Sequence, residues 1–239
     1  ANIKKNDEVL DVGCGSGETS FQASRLVGYR GCVMGADISK TLLDFAKDKF
    51  INIRNLEFHI CDVQNYKFEP NKFDKVISRF GMMFFENPVE AFKNINLAMK
   101  KNGSLSFVCW SNIKENDFFY DGIEIITKIV KKNLPPITKK PGPFAFSEKE
   151  YIEQILIKSG FQDVKIDKVH TSISTKDSVE KDVEILLSIG PRAIMISETD
   201  LSEETILMIK NKIKELCKNR QRNEKIIYNA CLNYVSAIK

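Results

Sequence analysis

The chain has 239 residues, 43% hydrophobic and 28% charged, the balance of a soluble globular protein able to bury one substantial core. No apolar run approaches the roughly 20 residues of a membrane-spanning helix, and no basic-then-apolar leader opens the sequence as given. The net charge of +4 resides in residues 201–239, where eight Lys or Arg face four Glu while the rest balances.

Glu8 to Val12 forms a short apolar strand that runs into a glycine-rich turn, and Thr19 to Leu26 reads as a helix. Cys32 to Ala36 is a second strand, followed by a helical stretch from Thr41 to Phe50. Leu56 to Cys61 and Lys75 to Ser78 supply the third and fourth strands. Val89 to Met99 is amphipathic, with Val89, Phe92, Ile95 and Met99 on one face; Gly103 is expected to stop it, and Leu105 to Trp110 makes a fifth strand. Strands separated by helices imply parallel pairing with right-handed crossovers, hence an α/β fold with a doubly wound sheet.

Beyond this point the pattern changes. Asp117 to Lys132 reads as one helix bearing Phe118, Phe119, Ile123, Ile126 and Val130, and a loop from Leu134 to Phe146 follows. Ser147-x-x-Glu150 has the form of a capping box opening a helix that ends at Gly160. Val164 to Val169 is a sixth strand, and helical stretches near Val179–Ile189 and Glu203–Lys218 precede a last alternating segment, Ala230 to Ile238. Ile206, Ile209, Ile213, Leu216 and Cys217 trace an apolar stripe, so the lysines between them read as a solvated helix back rather than a nucleic-acid surface. The chain shows no repeat, low-complexity tract or linker and reads as one domain over 1–239. The six cysteines lie far apart with no C-x-x-C, and His59 beside Cys61 makes no ligand set. No metal is expected, and the thiols read as reduced, in a cytoplasmic protein.

Val9-Leu10-Asp11-Val12-Gly13-Cys14-Gly15-Ser16-Gly17 lies between a strand and a helix. Glycines there let the backbone turn sharply and let a ligand press against main-chain atoms. Asp37 ends the next strand, 20 residues after Gly17, where a carboxylate can take both hydroxyls of a ribose. A dinucleotide site typically reads G-x-G-x-x-G. Here the spacing is D-x-G-x-G-x-G, and Asp11 would repel a pyrophosphate but can hold a cationic amine, directly or through water.

Residues 8–20 resemble motif I of class I S-adenosylmethionine-dependent methyltransferases, and Gly35-Ala36-Asp37-Ile38-Ser39 is similar to their acidic motif. Cys61-Asp62-Val63 resembles the segment that contacts adenine, and Phe73-Asp74-Lys75-Val76-Ile77-Ser78 the fourth-strand motif; Lys101-Asn102-Gly103 stands where the family usually has Pro-Gly-Gly. The resemblance implies a Rossmann-like sheet of seven strands, the last antiparallel, with helical insertions, 111–146 lying over the substrate side. It implies S-adenosylmethionine as cofactor and S-adenosylhomocysteine as product. Gly13, Gly15 and Gly17 would line the methionine and ribose portion, Asp37 bind the ribose hydroxyls, and Ile38 pack on adenine. Asp62 would accept from the adenine amine beside the Val63 amide, and the Ser78 backbone would meet the methionine amino group.

Ser78-Arg79-Phe80-Gly81-Met82-Met83-Phe84-Phe85 followed by Asn87-Pro88 resembles a bacterial group of ubiquinone-biosynthesis-like and small-molecule methyltransferases, as do Phe107-Val108-Cys109-Trp110 and Pro141-Gly142-Pro143-Phe144. Transfer to a small-molecule acceptor is therefore expected, in a pocket of Arg79, Phe80, Trp110 and Phe144, with no catalytic residue assigned. A non-catalytic S-adenosylmethionine-binding regulator and an NAD-type oxidoreductase are the alternatives. Enzymes of this kind usually place helices before the first core strand, so the natural chain is expected to extend upstream of Ala1.

Overall fold

In the computed structural model, which describes residues 1–134, 136–176 and 178–239, the chain before Ser111 follows the alternation read from its sequence. Pro135, in the loop expected from Leu134, lies outside the described residues. β1 (Glu8–Val12), α1 (Glu18–Val27), β2 (Cys32–Asp37), α2 (Lys40–Lys49), β3 (Leu56–Ile60), β4 (Phe73–Arg79), a 3-10 turn (Met82–Phe84), α3 (Pro88–Ala98) and β5 (Met99–Trp110) succeed one another. Local chemistry starts the helices: the Ser39 side chain accepts from Leu42 N at α2, and Asn87 accepts from Glu90 N at α3, with Pro88 in the first turn. α3 ends at Ala98 rather than running to Gly103, because Met99 pairs with Phe73. The register then shifts between Phe73 and Lys75, and the residues up to Gly103 are taken up there, Asn102 at φ 64°.

After a second 3-10 turn (Ile113–Glu115) come α4 (Asp117–Tyr120), α5 (Ile123–Val130), α6 (Lys149–Lys158), β6 (Gln162–Thr175), α7 (Val179–Ser188), α8 (Gly190–Ser197), α9 (Glu203–Arg220), β7 (Gln221–Arg222) and β8 (Lys225–Ile238). The single helix expected from Asp117 to Lys132 is broken at Gly122, which sits at φ 77° where a Cβ would lie 2.1 Å from Ile213 Cδ1. The capping box is not used. Glu148 is the N-cap of α6, without a side-chain bond, and Ser147 N donates to Phe144 O in the preceding turn. α8 was not foreseen, because Gly190-Pro191 punctuates the sequence like a loop although proline suits a first helical turn.

The sheet has the order β3-β2-β1-β4-β5-β8-β6, with β7 paired to β8. β1 to β5 are parallel, and the last strands run antiparallel. The eighth strand, beyond the seven expected, is β7. It pairs with β8 across Asn223 and Glu224, at φ 46° and 63°, the left-handed pair that a two-residue hairpin turn requires. The chain winds outward from β1 to β2 and β3, then returns to lay β4 on the other side of β1. Such a switch point leaves a crevice beyond the carboxyl ends of the strands.

The chain divides into two compact units: residues 1–109, 139–168 and 233–239, and residues 110–138 and 169–232. The segment 111–146, expected as one insertion, is therefore shared, its last eight residues belonging to the first unit. In the first unit Val9, Ala23, Val27, Val33, Phe50, Leu56 and Ile77 form one buried cluster. Phe92 tilts against Phe107, stacks on Phe146 and meets Phe161 edge-on, at ring distances of 5.8–6.2 Å. The second unit has its own core, including Ile126, Leu186, Met195, Ile213 and Tyr228. Arg192 is fully buried there and donates to the carbonyls of Leu186, Asp121 and Phe118 at 2.8, 2.7 and 2.6 Å. α9 buries Ile209, Ile213 and Cys217 and turns its other faces outward. Among the described residues no helix is long and apolar enough to cross a membrane.

Candidate functional site

A cavity of about 530 Å³ opens at the switch point of the first unit. Its wall comes from four turns, one after each of β1 to β4: Gly13 and Gly15, then Asp37 and Ile38, then 61–64, then Phe80, Gly81 and 84–86. Strand order puts the β2 and β3 turns on one side of β1 and the β4 turn on the other.

On the first side, Asp37 is half-buried and held by two backbone donors. Gly15 N donates to one carboxylate oxygen and Ser39 N to the other, both at 2.8 Å. Each oxygen keeps a lone pair for a further donor. Gly15 stands at φ 55° with nothing near its Cβ position except Leu42 Cδ1 at 3.9 Å, so its backbone borders open space. Ile38 is 75% exposed on this wall. Asp62 is also exposed and closes its own turn, accepting from Gln64 N at 2.9 Å and Asn65 Nδ2 at 2.8 Å, while Val63 beside it is buried.

Behind the wall lie Asp11, Gly17 and Ser78. Asp11 has no exposed surface; one carboxylate oxygen accepts from Ser20 Oγ at 2.6 Å and the other has no partner. Burial pushes its carboxyl up to about 7, against the Ser20 hydroxyl and the more distant Arg79, which favour the ionised form, while Asp37 works with burial. Gly17 is the N-cap of α1 at φ 82°. Ser78 Oγ donates to Val12 O at 2.7 Å and accepts from Gly81 N at 3.2 Å, tying the β4 turn to the β1 turn. The two turns touch through glycines: a Cβ on Gly13 would lie 2.6 Å from Gly81 Cα.

The β4 side is aromatic. Phe80 takes the left-handed conformation, φ 65°, and its N–H donates to Val108 O at 3.0 Å; a bulky residue rarely adopts that backbone. Phe84 is 52% exposed, and Phe85 meets Phe92 edge-on at 5.8 Å. Of the four residues expected to form a substrate pocket, only Phe80 lies on this wall. Arg79 comes two residues after Ile77, so strand alternation assigns it to the sheet face packed by α1. Phe144 is buried within the first unit, and Trp110 belongs to the second, edge-on to Phe119 at 5.1 Å. What these four share in the sequence is a place at a strand end or in a loop. Leu42, Gln64, Phe84, Phe85 and Glu86 also line the cavity without having been expected there, and the aromatic pair just before the Asn87 cap is the signal in the sequence that points to them.

A doubly wound sheet with an acid-x-Gly-x-Gly turn and an oriented carboxylate after its second strand defines a nucleoside-binding α/β enzyme of the methyltransferase type. A family model described as a methyltransferase domain matches residues 3–142, and the chain belongs to that family. Demethylmenaquinone methyltransferase of Staphylococcus saprophyticus is 27% identical over 175 residues, 69% of this chain and 74% of that one. The YcgJ protein of Bacillus subtilis shares the fold with a TM-score of 0.64 at 15% identity, over 100% of this chain and 94% of that one. So does phosphoethanolamine N-methyltransferase 2 of Haemonchus contortus, solved with phosphomonomethylethanolamine and S-adenosylhomocysteine, with a TM-score of 0.57 at 20% identity. All of this chain is covered there, but it spans only half of that protein. The protein is an S-adenosylmethionine-dependent methyltransferase that yields S-adenosylhomocysteine, not an oxidoreductase. The residues present fit that cofactor. Gly15 offers an uncovered backbone cradle, Asp37 an oriented carboxylate, and Asp11 a buried oxygen without a partner.

Proposed function

We propose that the enzyme methylates a small, apolar, ring-bearing acceptor held against the turn that follows β4. The observation that carries this reading is the exposure of Phe84, with Phe80 beside it, on the wall of the cavity that also contains Asp37. Aromatic walls of this kind suit an apolar ring. The Staphylococcus saprophyticus relative, a demethylmenaquinone methyltransferase by name, supports a quinone-like acceptor.

In this reading Asp37 takes the ribose hydroxyls, Ile38 packs on adenine, and Asp62 with the Val63 amide meets the adenine edge. Gly13 and Gly15 line the methionine and ribose portion, Gly17 sets the start of α1, and Asp11 and the Ser78 backbone serve the amino group. When bound, S-adenosylmethionine supplies an electrophilic methyl group on a sulfonium. The protein's own work is orientation and exclusion of water, which the aromatic turn performs at the acceptor. Glu86 is the ionisable side chain that this turn contributes to the wall, and it accepts the proton an acceptor hydroxyl gives up. The spaced cysteines support a cytoplasmic setting. The buried stripe of α9, with its lysines turned outward, supports the absence of a nucleic-acid partner.

The test is identification of the ligand that co-purifies, then an acceptor screen with labelled cofactor, beginning with demethylated quinols. The Phe80→Ala/Phe84→Ala double variant should keep its affinity for S-adenosylhomocysteine and raise the acceptor KM. An unchanged acceptor KM would remove the aromatic turn from the acceptor site.

A further inference from the structure

Asp11 occupies an unusual position for a carboxylate that serves a cation. It has no exposed surface and a spare oxygen, yet Val12, Gly13 and Gly15 just after it line the cavity. From α1, the Ser20 hydroxyl donates to it. Among the titratable groups that face it, Cys14 comes from the turn, with its thiol pushed up chiefly by burial. Asp37 faces it from β2, and Arg79 from the end of β4, where the guanidinium is exposed to solvent. One hydroxyl and one distant, solvated cation do not repay the desolvation of a buried carboxylate.

We propose that Asp11 is a proton-exchanging anchor: protonated in the free enzyme, it releases its proton to solvent when the positive charges of the cofactor enter the adjoining cavity. One O–H bond breaks, the proton passes to buffer, and a carboxylate facing an ammonium remains. The ammonium is common to S-adenosylmethionine and S-adenosylhomocysteine, and the sulfonium belongs to the former alone. The exchange, which answers to the ammonium, therefore accompanies the binding of either ligand. This deepens the cofactor reading given above and rests on it. Burial holds the free carboxyl at about 7; binding that requires the ionised form then strengthens as pH rises through that value and levels off above it.

Calorimetric titration with S-adenosylhomocysteine, in buffers of different ionisation enthalpy at pH 6.5, counts the protons released. The expected result is release of a large fraction of one proton, and a Kd that falls about tenfold between pH 6 and 8, as one coupled proton with a midpoint near 7 gives. Asp11→Asn should release none beyond what the ligand's own amine gives, and its Kd should be flat. Ser20→Ala removes the hydroxyl that favours the ionised form, so the midpoint of the Kd profile should move to higher pH, a result that does not depend on the Asp11→Asn variant folding. Binding with equal affinity at pH 6 and 8, and no buffer-dependent heat, overturns the exchange while leaving the cofactor site intact. No binding at either pH overturns both.

Discussion

Gly81→Ala tests the contact that joins the two sides of the cavity. The added Cβ would lie 2.5 Å from Val12 O and 2.8 Å from Gly13 Cα. Gly81 itself sits at φ −84°, a conformation open to any residue, so the substitution adds no backbone strain. Both neighbours are main chain, and neither can swing aside as a side chain would. The turn after β1 must therefore move away from β4. Overpacking of this kind costs roughly 1–3 kcal/mol. The shift also stretches the bonds of Ser78 to Val12 O and Gly81 N, each worth about 1 kcal/mol net. The expected loss is about 2–4 kcal/mol, a fall in Tm of roughly 5–15 °C for a chain of this length. Because Gly13 belongs to the cavity wall, where the cofactor is proposed to bind, affinity for S-adenosylhomocysteine should fall more than about tenfold, the equivalent of 1.4 kcal/mol. Thermal unfolding and calorimetric titration read the two effects. Gly142→Ala, whose nearest neighbour would be 3.9 Å away, is the control. A Gly81→Ala enzyme with the Tm and ligand affinity of the Gly142→Ala control would refute the steric argument.

Asp37→Ala should cost roughly 2–4 kcal/mol of cofactor binding through two charge-assisted hydrogen bonds; calorimetry showing unchanged affinity in a folded variant removes it from the ribose site. Asp11→Asn bears on stability as well as binding. The folded carboxyl titrates at about 7 against 3.8 for the free group, so the stability tied to its proton is complete below pH 4 and lost as pH rises through 7. The variant should therefore gain about 2–3 kcal/mol on the wild type between pH 5 and pH 8, and parallel denaturation curves at the two values would sink the claim. Arg192→Leu removes a buried guanidinium and strands three carbonyls, one buried and two partly so, and should cost upwards of about 3 kcal/mol; a chemical-denaturation midpoint equal to wild type would contradict it.

The glycine turn, Asp37 and the first five strands were legible because they are local. A strand ending in D-x-G-x-G-x-G, or a helix opening on Ser39 or on Asn87-Pro88, carries its instruction within a few residues. The errors gather where a distant partner decides. Gly122 breaks a well-patterned helix where Ile213 would meet a Cβ, and Met99 leaves its helix to pair with Phe73. The four residues expected to share a substrate pocket are spread apart for the same reason. Arg79 and Phe80 are adjacent in sequence, but strand alternation carries one to the α1 face while a left-handed backbone, held by Val108 O, accompanies the other to the cavity. The sequence by itself determined the fold class and the cofactor, because those depend on backbone geometry encoded in short motifs. Only the tertiary structure decided which aromatics share the cavity, that Gly13 needs Gly81 opposite it, and that Asp11 is sealed from water with one oxygen unpaired. Those properties depend on burial and on contacts across about 70 residues of chain, and no local pattern records them.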